Sequence, residues 1–447
     1  MNTKDMTSGN PTPLIIKFAL PLMAGNLFQE LYTVADTIIV GQFLGVQALA
    51  AVGSGGWISW MLLSAVQGFT QGFSIPSAQA YGAKDYSQIR KCMANSAILS
   101  FLLSIILLVF GQFILEPILV LMDTPIEILD QALLYLRIYY LGCPIMMLYN
   151  YAASHLRAFG NSKVPLYAMI FASFTNIILD IVFVGPLKMG IAGAVIATVL
   201  AQLFASFYSM WHLLHIDFLT FSKTDFKFDY QLSKKLLYLG IPMAFQNITI
   251  SIGGIIVQAI MNQFGIIFIA GVTATNRLYG LIETAAVSYG YAVTTYVGQN
   301  LGAAKHKRII DGVKAAQLIG LFTSFLIGGL MIVFGKNVLS LFISGTPEEI
   351  ISTMQVAYRY LFIMSASLPI LYCLHILRSA IIGLGNSTIP LLTGFAELIM
   401  RVGASLIIPI YFSEMNIFFS EPLAWLGSVV VLVIGYFVLT KDFKKFI

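Results

Sequence analysis

Residues 18–52 read FALPLMAGNLFQELYTVADTIIVGQFLGVQALAAV, and this stretch decides how the rest of the chain is interpreted. It is long and apolar enough to cross a lipid bilayer as a helix. Asp36 lies deep inside it, with Tyr32 one helical turn earlier and Glu30 close by. Because a carboxylate at the centre of a bilayer costs at least about 2.5–3.5 kcal/mol, an acid in this position marks an ion or substrate path.

The composition of the whole chain is that of a polytopic membrane protein. Of its 447 residues, 58% are hydrophobic and 10% are charged, and the mean hydropathy is +0.86. Soluble domains carry about 25% charged residues. The net charge of +5 does not indicate a nucleic-acid partner, because the basic residues lie in loops between apolar segments. We therefore expect the lipid bilayer, and no nucleic acid, as the surroundings of this chain.

Apolar runs of about 20 residues recur twelve times, so the sequence predicts an all-α integral membrane protein with twelve transmembrane helices. Most of the 25 lysine and arginine residues, Arg378 among them, fall in loops on the side that also holds both termini. This bias predicts a multi-pass protein of the plasma membrane with both termini in the cytoplasm. The predicted spans are 14–41, 46–76, 92–116, 128–153, 163–185, 190–213, 235–262, 267–296, 312–335, 352–377, 388–411 and 417–440.

The chain repeats itself at an offset of 220 to 225 residues. ALPLMAGN near the start of the first span matches GIPMAFQN near the start of the seventh, and RAFGNSKVP (157–165) matches IGLGNSTIP (382–390). Two halves of six spans have the same topology and are related by an axis along the membrane normal. The sequence therefore predicts two pseudo-symmetric six-helix bundles, residues 1–213 and 235–447, joined by a polar cytoplasmic linker, 214–234.

Polar residues of the first half fit one cation site. Asn176 and Asp180 are four residues apart, on one face of the fifth span, and Asp180 lies about 26 Å past the cytoplasmic entry. Asp36 has a similar depth, and Thr198 lies about 15 Å from the opposite entry of the sixth span. Two carboxylates, an amide oxygen and a hydroxyl suit Na⁺, or a proton shared between two acids. The alternative is four unrelated polar residues, each bonded within the bundle.

Charged residues of the second half have candidate partners. Glu397 and Arg401 are four residues apart in the eleventh span, in the order that favours an ion pair, and Glu283 and Arg277 lie in the eighth span. Neither Asp36 nor Asp180 has a basic neighbour at helical spacing. We therefore predict a structural role for the second-half pairs and place cation coupling in the first half.

Motifs for other functions are missing from the sequence. There is no GxxxxGK[ST] phosphate-binding loop, so nothing indicates ATP as the energy source, and there is no HExxH motif or Cys/His cluster. An enzyme of the membrane would need an acid or histidine cluster at the water interface, and a receptor would need a soluble module. We predict a protein that is not an enzyme and that has neither a cofactor nor a structural metal, apart from a coupling Na⁺ or H⁺.

The first span and the repeats resemble those of the multidrug and toxic compound extrusion (MATE) transporters. The resemblance rests on Tyr32-xxx-Asp36-Thr-x-x-Val-Gly41, on ALAAVG (48–53), on the Gly-Asn-Ser-x-x-Pro motifs and on the duplicated six-span halves. It implies a MATE-type fold of two lobes around a central cleft. It also implies an antiporter that exports bulky, cationic or amphipathic drug-like compounds in exchange for Na⁺ or H⁺ by alternating access.

The branch that the sequence resembles is the DinF-like one, and this likeness assigns roles to individual residues. It implies a first-lobe cation site made of Asp36, Asn176, Asp180 and Thr198. It also implies that Tyr32, Tyr135 and Asn150 line the substrate cavity, where Glu30 either faces the cavity or caps a neighbouring helix. Other branches carry an acid in the seventh span, and span 235–262 has none.

Two further expectations complete this interpretation. We expect the protein to be a monomer. The alternative function is a flippase for a lipid-linked or polysaccharide precursor from the wider superfamily, which would need a long, strongly basic cleft. The predicted spans offer four arginines for such a cleft, and two of those have acid partners; the four are Arg137, Arg277, Arg359 and Arg401.

Overall fold

The computed structural model describes residues 3–122, 124–343 and 346–446, and these ranges contain thirteen α-helices and no β-strand. Short 3₁₀ helices lie at Lys223–Phe226, Asn262–Phe264, Glu414–Phe419 and Lys441–Phe446. The α-helices are α1 Pro11–Ser54, α2 Gly56–Gly82, α3 Tyr86–Leu121, α4 Ile126–Leu141, α5 Cys143–Ala158, α6 Lys163–Val184, α7 Gly190–Leu214, α8 Tyr230–Met261, α9 Ile266–Gly302, α10 His306–Leu339, α11 Pro347–Gly383, α12 Thr388–Tyr411 and α13 Ser420–Thr440.

Most of these helices are long and apolar enough to cross a bilayer. Within the described ranges ten segments meet that description, and α4 with α5 makes an eleventh if the bent pair is one span. The predicted eighth span forms α9, a helix of 37 residues that is not among them. Its tyrosines and threonines, with Arg277 and Glu283, lower the hydropathy of α9. The prediction of an all-α, multi-pass membrane protein is confirmed.

The helix that carries Asp36 is interrupted at Gly45. This residue has φ +81° and ψ −174°, so α1 consists of a first span, Pro11–Gly45, and the start of a second, Gln47–Gly82. Such a conformation is open to glycine and strained for other residues. A Cβ at Gly45 would meet no atom within 4 Å, so backbone conformation alone requires the glycine. The break falls where the sequence separates the first two predicted spans.

The predicted fourth span, 128–153, is not one straight helix. It breaks at Gly142 into α4 and α5, whose axes differ by 46°. Pro144 lies in the first turn of α5, where its missing N–H leaves no hydrogen bond unmade. Pro144 at the start of α5 therefore explains the bend, which hydropathy alone did not predict.

The chain folds into two compact units. The first unit holds the residues up to Asp5 and Leu20–Phe245, and the second holds Met6–Ala19 and the residues from Gln246 onward. Two helices, α1 and α8, are therefore each divided between the units. The predicted lobe boundaries, 1–213 and 235–447 with the linker 214–234, stay a prediction.

The repeated Gly-Asn-Ser motif builds the same turn in each unit. Gly160 and Gly385 follow α5 and α11 with φ +78° and +83°, a left-handed conformation that favours glycine. The next residue then caps the following helix: Asn161 Oδ1 accepts from the Val164 N–H at 3.1 Å, and Asn386 Oδ1 accepts from the Ile389 N–H at 3.0 Å. The internal repeat is thus a repeat of local backbone structure.

The linker between the predicted halves is fastened to α3. Asp225 accepts hydrogen bonds from the Ser222 N–H at 2.8 Å and from Arg90 Nε at 3.2 Å. These contacts, chiefly the one from the Ser222 backbone, hold the pKa of the Asp225 carboxyl below its ordinary value. Asn95 on α3 accepts from the Asp229 N–H at 2.9 Å and so fixes the start of α8.

Candidate functional site

Asp36 on α1 and Asp180 on α6 lie side by side in the first unit. Asp36 is 8% exposed and Asp180 is fully buried. Their carboxyl groups face each other closely enough to interact directly. The structure therefore brings together the two acids that the sequence singled out.

Three of the four carboxyl oxygens of this acid pair have no hydrogen-bond partner among the described residues. Asp36 Oδ1 and both carboxyl oxygens of Asp180 accept no hydrogen bond from any described residue. No lysine, arginine or histidine in the described part of the chain forms an ion pair with either acid. A buried charge without a partner is costly, so this arrangement calls for a proton or a metal cation between the carboxyl groups.

Asn176 and Thr198 extend the acid pair into a larger oxygen site. Asn176 Nδ2 donates to Thr198 Oγ1 at 3.3 Å, and the Thr198 hydroxyl donates to the Ala194 carbonyl at 3.2 Å. The Asn176 side chain also lies against Asp180, one turn later on α6. Its Oδ1 is buried and accepts no hydrogen bond within the described residues. The set offers carboxylate, amide and hydroxyl oxygens, which are ligands that hard cations prefer.

Both predicted cavity tyrosines border the acid pair. Tyr32 lies near Asp36 and Glu30, and its hydroxyl contacts the side chain of Gln202. Tyr135 is buried within electrostatic reach of both acids, and its ring stacks on Tyr139 with the ring centroids 6.2 Å apart. Two aromatic rings therefore stand beside the candidate cation site.

Glu30 and Asn150 take different positions from the tyrosines. Glu30 is half-buried and lies near Tyr32 on the same helix. Asn150 is buried, and its Nδ2 donates to the Met146 carbonyl at 2.9 Å, so its amide is bonded within α5 rather than to the acids. The cavity roles of both residues stay predictions.

Gln202 was missed in the sequence. It lies one turn beyond Thr198 on the same face of α7, and its Oε1 is buried and accepts no hydrogen bond from the described residues. The four-residue spacing from Thr198 was the available signal. A buried amide costs less free energy than a buried carboxylate, so an amide in a predicted span is a weaker indication of a functional site.

The second unit carries a closed network of buried charges. Arg378 on α11 forms an ion pair with Glu397 on α12, and Arg401 on α12 pairs with Glu421 on α13 at 2.8 Å. The predicted contact of Glu397 with Arg401 is present at 3.9 Å, but it is the longer of the two Arg401 pairs. The Ser428 hydroxyl donates to Glu397 at 3.1 Å. We name these four charged residues, Arg378, Glu397, Arg401 and Glu421, the tetrad.

Two expectations about the second-unit charges were wrong. Glu283 contacts His375 Nε2 at 3.5 Å rather than Arg277, because a separation of six residues turns two side chains to different faces of a helix. Arg378, which the sequence placed in a loop, lies inside α11 because this helix continues to Gly383. Helix ends are hard to place from hydropathy, and a basic residue near an end is easily assigned to the loop.

The comparisons with known proteins agree with this architecture. Residues 21–182 and 242–427 match the family model described as MatE, so the chain belongs to the MatE family. The probable multidrug resistance protein YoeA of Bacillus subtilis is 32% identical over 358 residues, which cover 77% of this chain and 75% of that protein. The probable multidrug resistance protein NorM of Thermotoga maritima is 23% identical and covers 86% of this chain and 82% of its own length.

A solved structure shares the complete fold. The crystal structure of MATE in complex with MaL6 superposes with a TM-score of 0.91, at 22% identity, over 100% of both chains. The chain is therefore an all-α membrane protein with the MATE fold, and its family is one of transporters rather than enzymes.

Proposed function

We propose that this protein is an antiporter that exports bulky organic compounds, cationic or amphipathic, in exchange for Na⁺ or H⁺. The names of the relatives as multidrug resistance proteins support the substrate class. The observation that carries the exchange mechanism is the pair of buried carboxyl groups, Asp36 and Asp180, three of whose four oxygens accept no hydrogen bond from a described residue.

The coupling cation would do its work by neutralising the acid pair. With a Na⁺ or a proton in place, the two carboxyl groups attract the same positive charge and hold α1 against α6. Without it, two negative charges face each other in a medium of low dielectric, and their repulsion favours separation. Asn176 and Thr198 would supply neutral oxygens to the bound ion.

The first helix is the element that would transmit this change. Pro21 lies inside α1 and removes one backbone hydrogen bond, and Gly45 ends the span in a positive-φ conformation that interrupts the helix. Asp36 lies between these two points. Binding of a cation at Asp36 would therefore bias the shape of α1, and with it the side of the membrane to which the substrate cavity opens.

Tyr32 and Tyr135 would link the ion to the exported molecule. Both rings border the acid pair, so an organic cation stacked on them competes with the coupling ion for the same negative charge. If the coupling ion and the organic cation cannot occupy the acid pair together, binding of one releases the other, as exchange by alternating access requires. Both termini would face the cytoplasm, as the distribution of basic residues predicts.

The flippase alternative is disfavoured by the state of the arginines. A pyrophosphate group needs arginines that are free to bind it, whereas, of the four arginines named for such a cleft, Arg401 is paired with Glu421 and Glu397, and Arg359 donates to Asn416 Oδ1 at 2.8 Å. Arg137 forms an ion pair with Glu116 at 3.3 Å.

Dye efflux from reconstituted vesicles tests the proposal. Ethidium is loaded into vesicles, and Na⁺ and pH gradients are imposed separately. We expect one of the two gradients to drive efflux by the wild type, and neither to drive it in Asp36→Asn or Asp180→Asn. Glu116→Gln is the control, because it neutralises an acid that already has a basic partner at the protein surface. Efflux by both aspartate variants at the wild-type rate would remove the coupling site.

A further inference from the structure

Three aromatic side chains near the end of the linker are exposed. Phe226 is 52% exposed, Phe228 is 57% exposed, and Tyr230, the first residue of α8, is 71% exposed. A cluster of large apolar side chains at the surface marks a site of interaction, because its contact with water is costly. The three rings therefore indicate contact with a partner other than water.

Hydrogen bonds hold this part of the linker in place on both sides of Phe228. Before it, Asp225 is tied to Arg90 of α3 by an ion pair of 3.2 Å. After it, the Asp229 N–H donates to Asn95 Oδ1, also on α3, at 2.9 Å. Because the backbone is fastened to α3 at both points, the exposure of the rings is fixed by the fold of the first unit.

The same contacts give the level of the rings relative to the membrane. Asn95 lies nine residues after Tyr86, the first residue of α3, which is about 14 Å along the helix axis. The apolar run that predicts this span begins at residue 92. Asn95 Nδ2 also donates to the Lys227 carbonyl at 3.5 Å, so residues 227–229 lie beside the start of that run. A span begins where hydrocarbon meets water, and we therefore place Phe228 at the level of the lipid headgroups.

Free positive charges accompany the rings. Lys223 and Lys227 are exposed, and neither forms an ion pair with any residue in the described ranges. Asp225 and Asp229 are instead bound within the protein, to a basic side chain and to a backbone N–H of α8. The segment thus presents ammonium groups beside aromatic rings, which complements the phosphates and the apolar boundary of a lipid surface.

We propose that five residues of this segment, which we name the linker patch, bind the lipid leaflet beside them and prefer anionic phospholipid. The rings lie among the headgroups, as aromatic residues do at membrane interfaces, and the ammonium groups contact lipid phosphates. A docked protein would have to displace lipid at this level. The patch is separate from the acid pair, so the inference does not depend on which ion or compound is exchanged. The linker patch consists of Lys223, Phe226, Lys227, Phe228 and Tyr230.

Spin labels test the position of the rings. The full-length Phe228→Cys variant is labelled and reconstituted into lipid nanodiscs, and the wild type gives the background of the native cysteines. Collisions of the label with oxygen, which concentrates in lipid, are compared with collisions with nickel-EDDA, which stays in water. We expect oxygen to dominate at position 228 and nickel-EDDA to dominate in Ser87→Cys, an exposed control in the first turn of α3. Phe226→Cys should behave like Phe228→Cys, which keeps the test valid if one variant fails to fold.

Short-chain lipids test the charge preference. A bimane label on the detergent-purified Phe228→Cys variant reports titrations with dioctanoyl phosphatidylglycerol and with dioctanoyl phosphatidylcholine. We expect tighter binding of the anionic lipid, and adding Lys223→Gln or Lys227→Gln should each weaken it about fivefold. Lys307→Gln with Lys314→Gln removes two exposed lysines of the second unit and is the control, for which the affinity should not change.

Several results would overturn the proposal. A label at position 228 that collides with nickel-EDDA as often as the label at position 87 would place the linker patch in water. A label shielded from both reagents would indicate a protein contact in place of lipid. Equal affinity for the two short-chain lipids, or an affinity for phosphatidylglycerol that the linker lysines do not affect, would contradict the binding of anionic lipid.

Discussion

Buried charge is organised in opposite ways in the two units. In the first unit, Asp36 and Asp180 face each other with unsatisfied oxygens and form no ion pair with a basic side chain among the described residues. In the second unit, the four charged side chains of the tetrad form paired contacts across α11, α12 and α13. The backbone repeats between the halves, as Gly160 and Gly385 show, but the charges do not.

This difference separates buried charges that stabilise the fold from buried charges that would bind a ligand in the proposed function. A buried ion pair is expensive to break because one removed partner leaves the other charge unpaired. A buried pair of like charges is expensive to keep, and in the proposed function the binding of an ion offsets that cost in part of the transport cycle.

Removing one member of the tetrad should destabilise the protein strongly. Arg401→Met is expected to lower the free energy of unfolding by about 3–5 kcal/mol, because Glu421 loses its 2.8 Å partner. Thermal unfolding in detergent micelles measures the effect. Arg401→Met with Glu421→Met should recover most of the loss, and a double variant as unstable as the single one would contradict a closed network.

The two glycines that separate the first pair of spans in each half should respond alike. Gly45 and Gly265, 220 residues apart, have φ +81° and +92° with extended ψ, and a Cβ added to either would meet no atom within 4 Å. Gly45→Ala and Gly265→Ala should each cost about 1–3 kcal/mol. Gly53→Ala, in open space within a helix, is the control and should not destabilise. Unequal losses of stability in the two variants would show that the two glycines share a backbone conformation without sharing its energetic requirement.

Neutralising the first-unit pair should have the opposite sign to breaking the tetrad. Asp180→Asn removes one of two facing carboxylates and adds a donor for Asp36. The expected change is a stabilisation of about 1 kcal/mol in the absence of coupling ion. The melting temperature of Asp180→Asn should be higher than that of the wild type, and the melting temperature of Glu397→Gln should be lower. A fall in both would mean that the first-unit acids stabilise the fold as the tetrad does.

The effect of a substitution in the linker should be no larger than that of Asp180→Asn. Asp225→Asn is expected to cost about 1 kcal/mol at pH 7, because Ser222 and Arg90 lose a charged acceptor. Since the pKa of Asp225 is lowered by folding, its contribution is present above the unfolded pKa and is lost as the pH falls through the folded one. The wild type and Asp225→Asn should therefore converge in stability at acidic pH, and parallel curves would contradict this.

Hydropathy and helical spacing predicted much of this structure. The apolar runs gave the membrane helices, and four-residue spacing together with depth brought Asn176 and Asp180 to one place. Apart from the end of α11 and the bend at Gly142, what failed depended on packing between different helices. The partners of Glu283 and Arg401 come from α11 and α13, and no spacing along one helix contains that information. Gln202 was missed because its importance comes from contacts across helices.

Direct cation binding to the purified wild type tests the central claim. Binding of ²²Na⁺ at pH 8 and proton uptake in weakly buffered solution are measured on the wild type, on Asp36→Asn and on Asp180→Asn. The account predicts that the wild type binds one of the two cations and that each variant loses this binding while remaining folded. Variants that bind the same cation with wild-type affinity would contradict it.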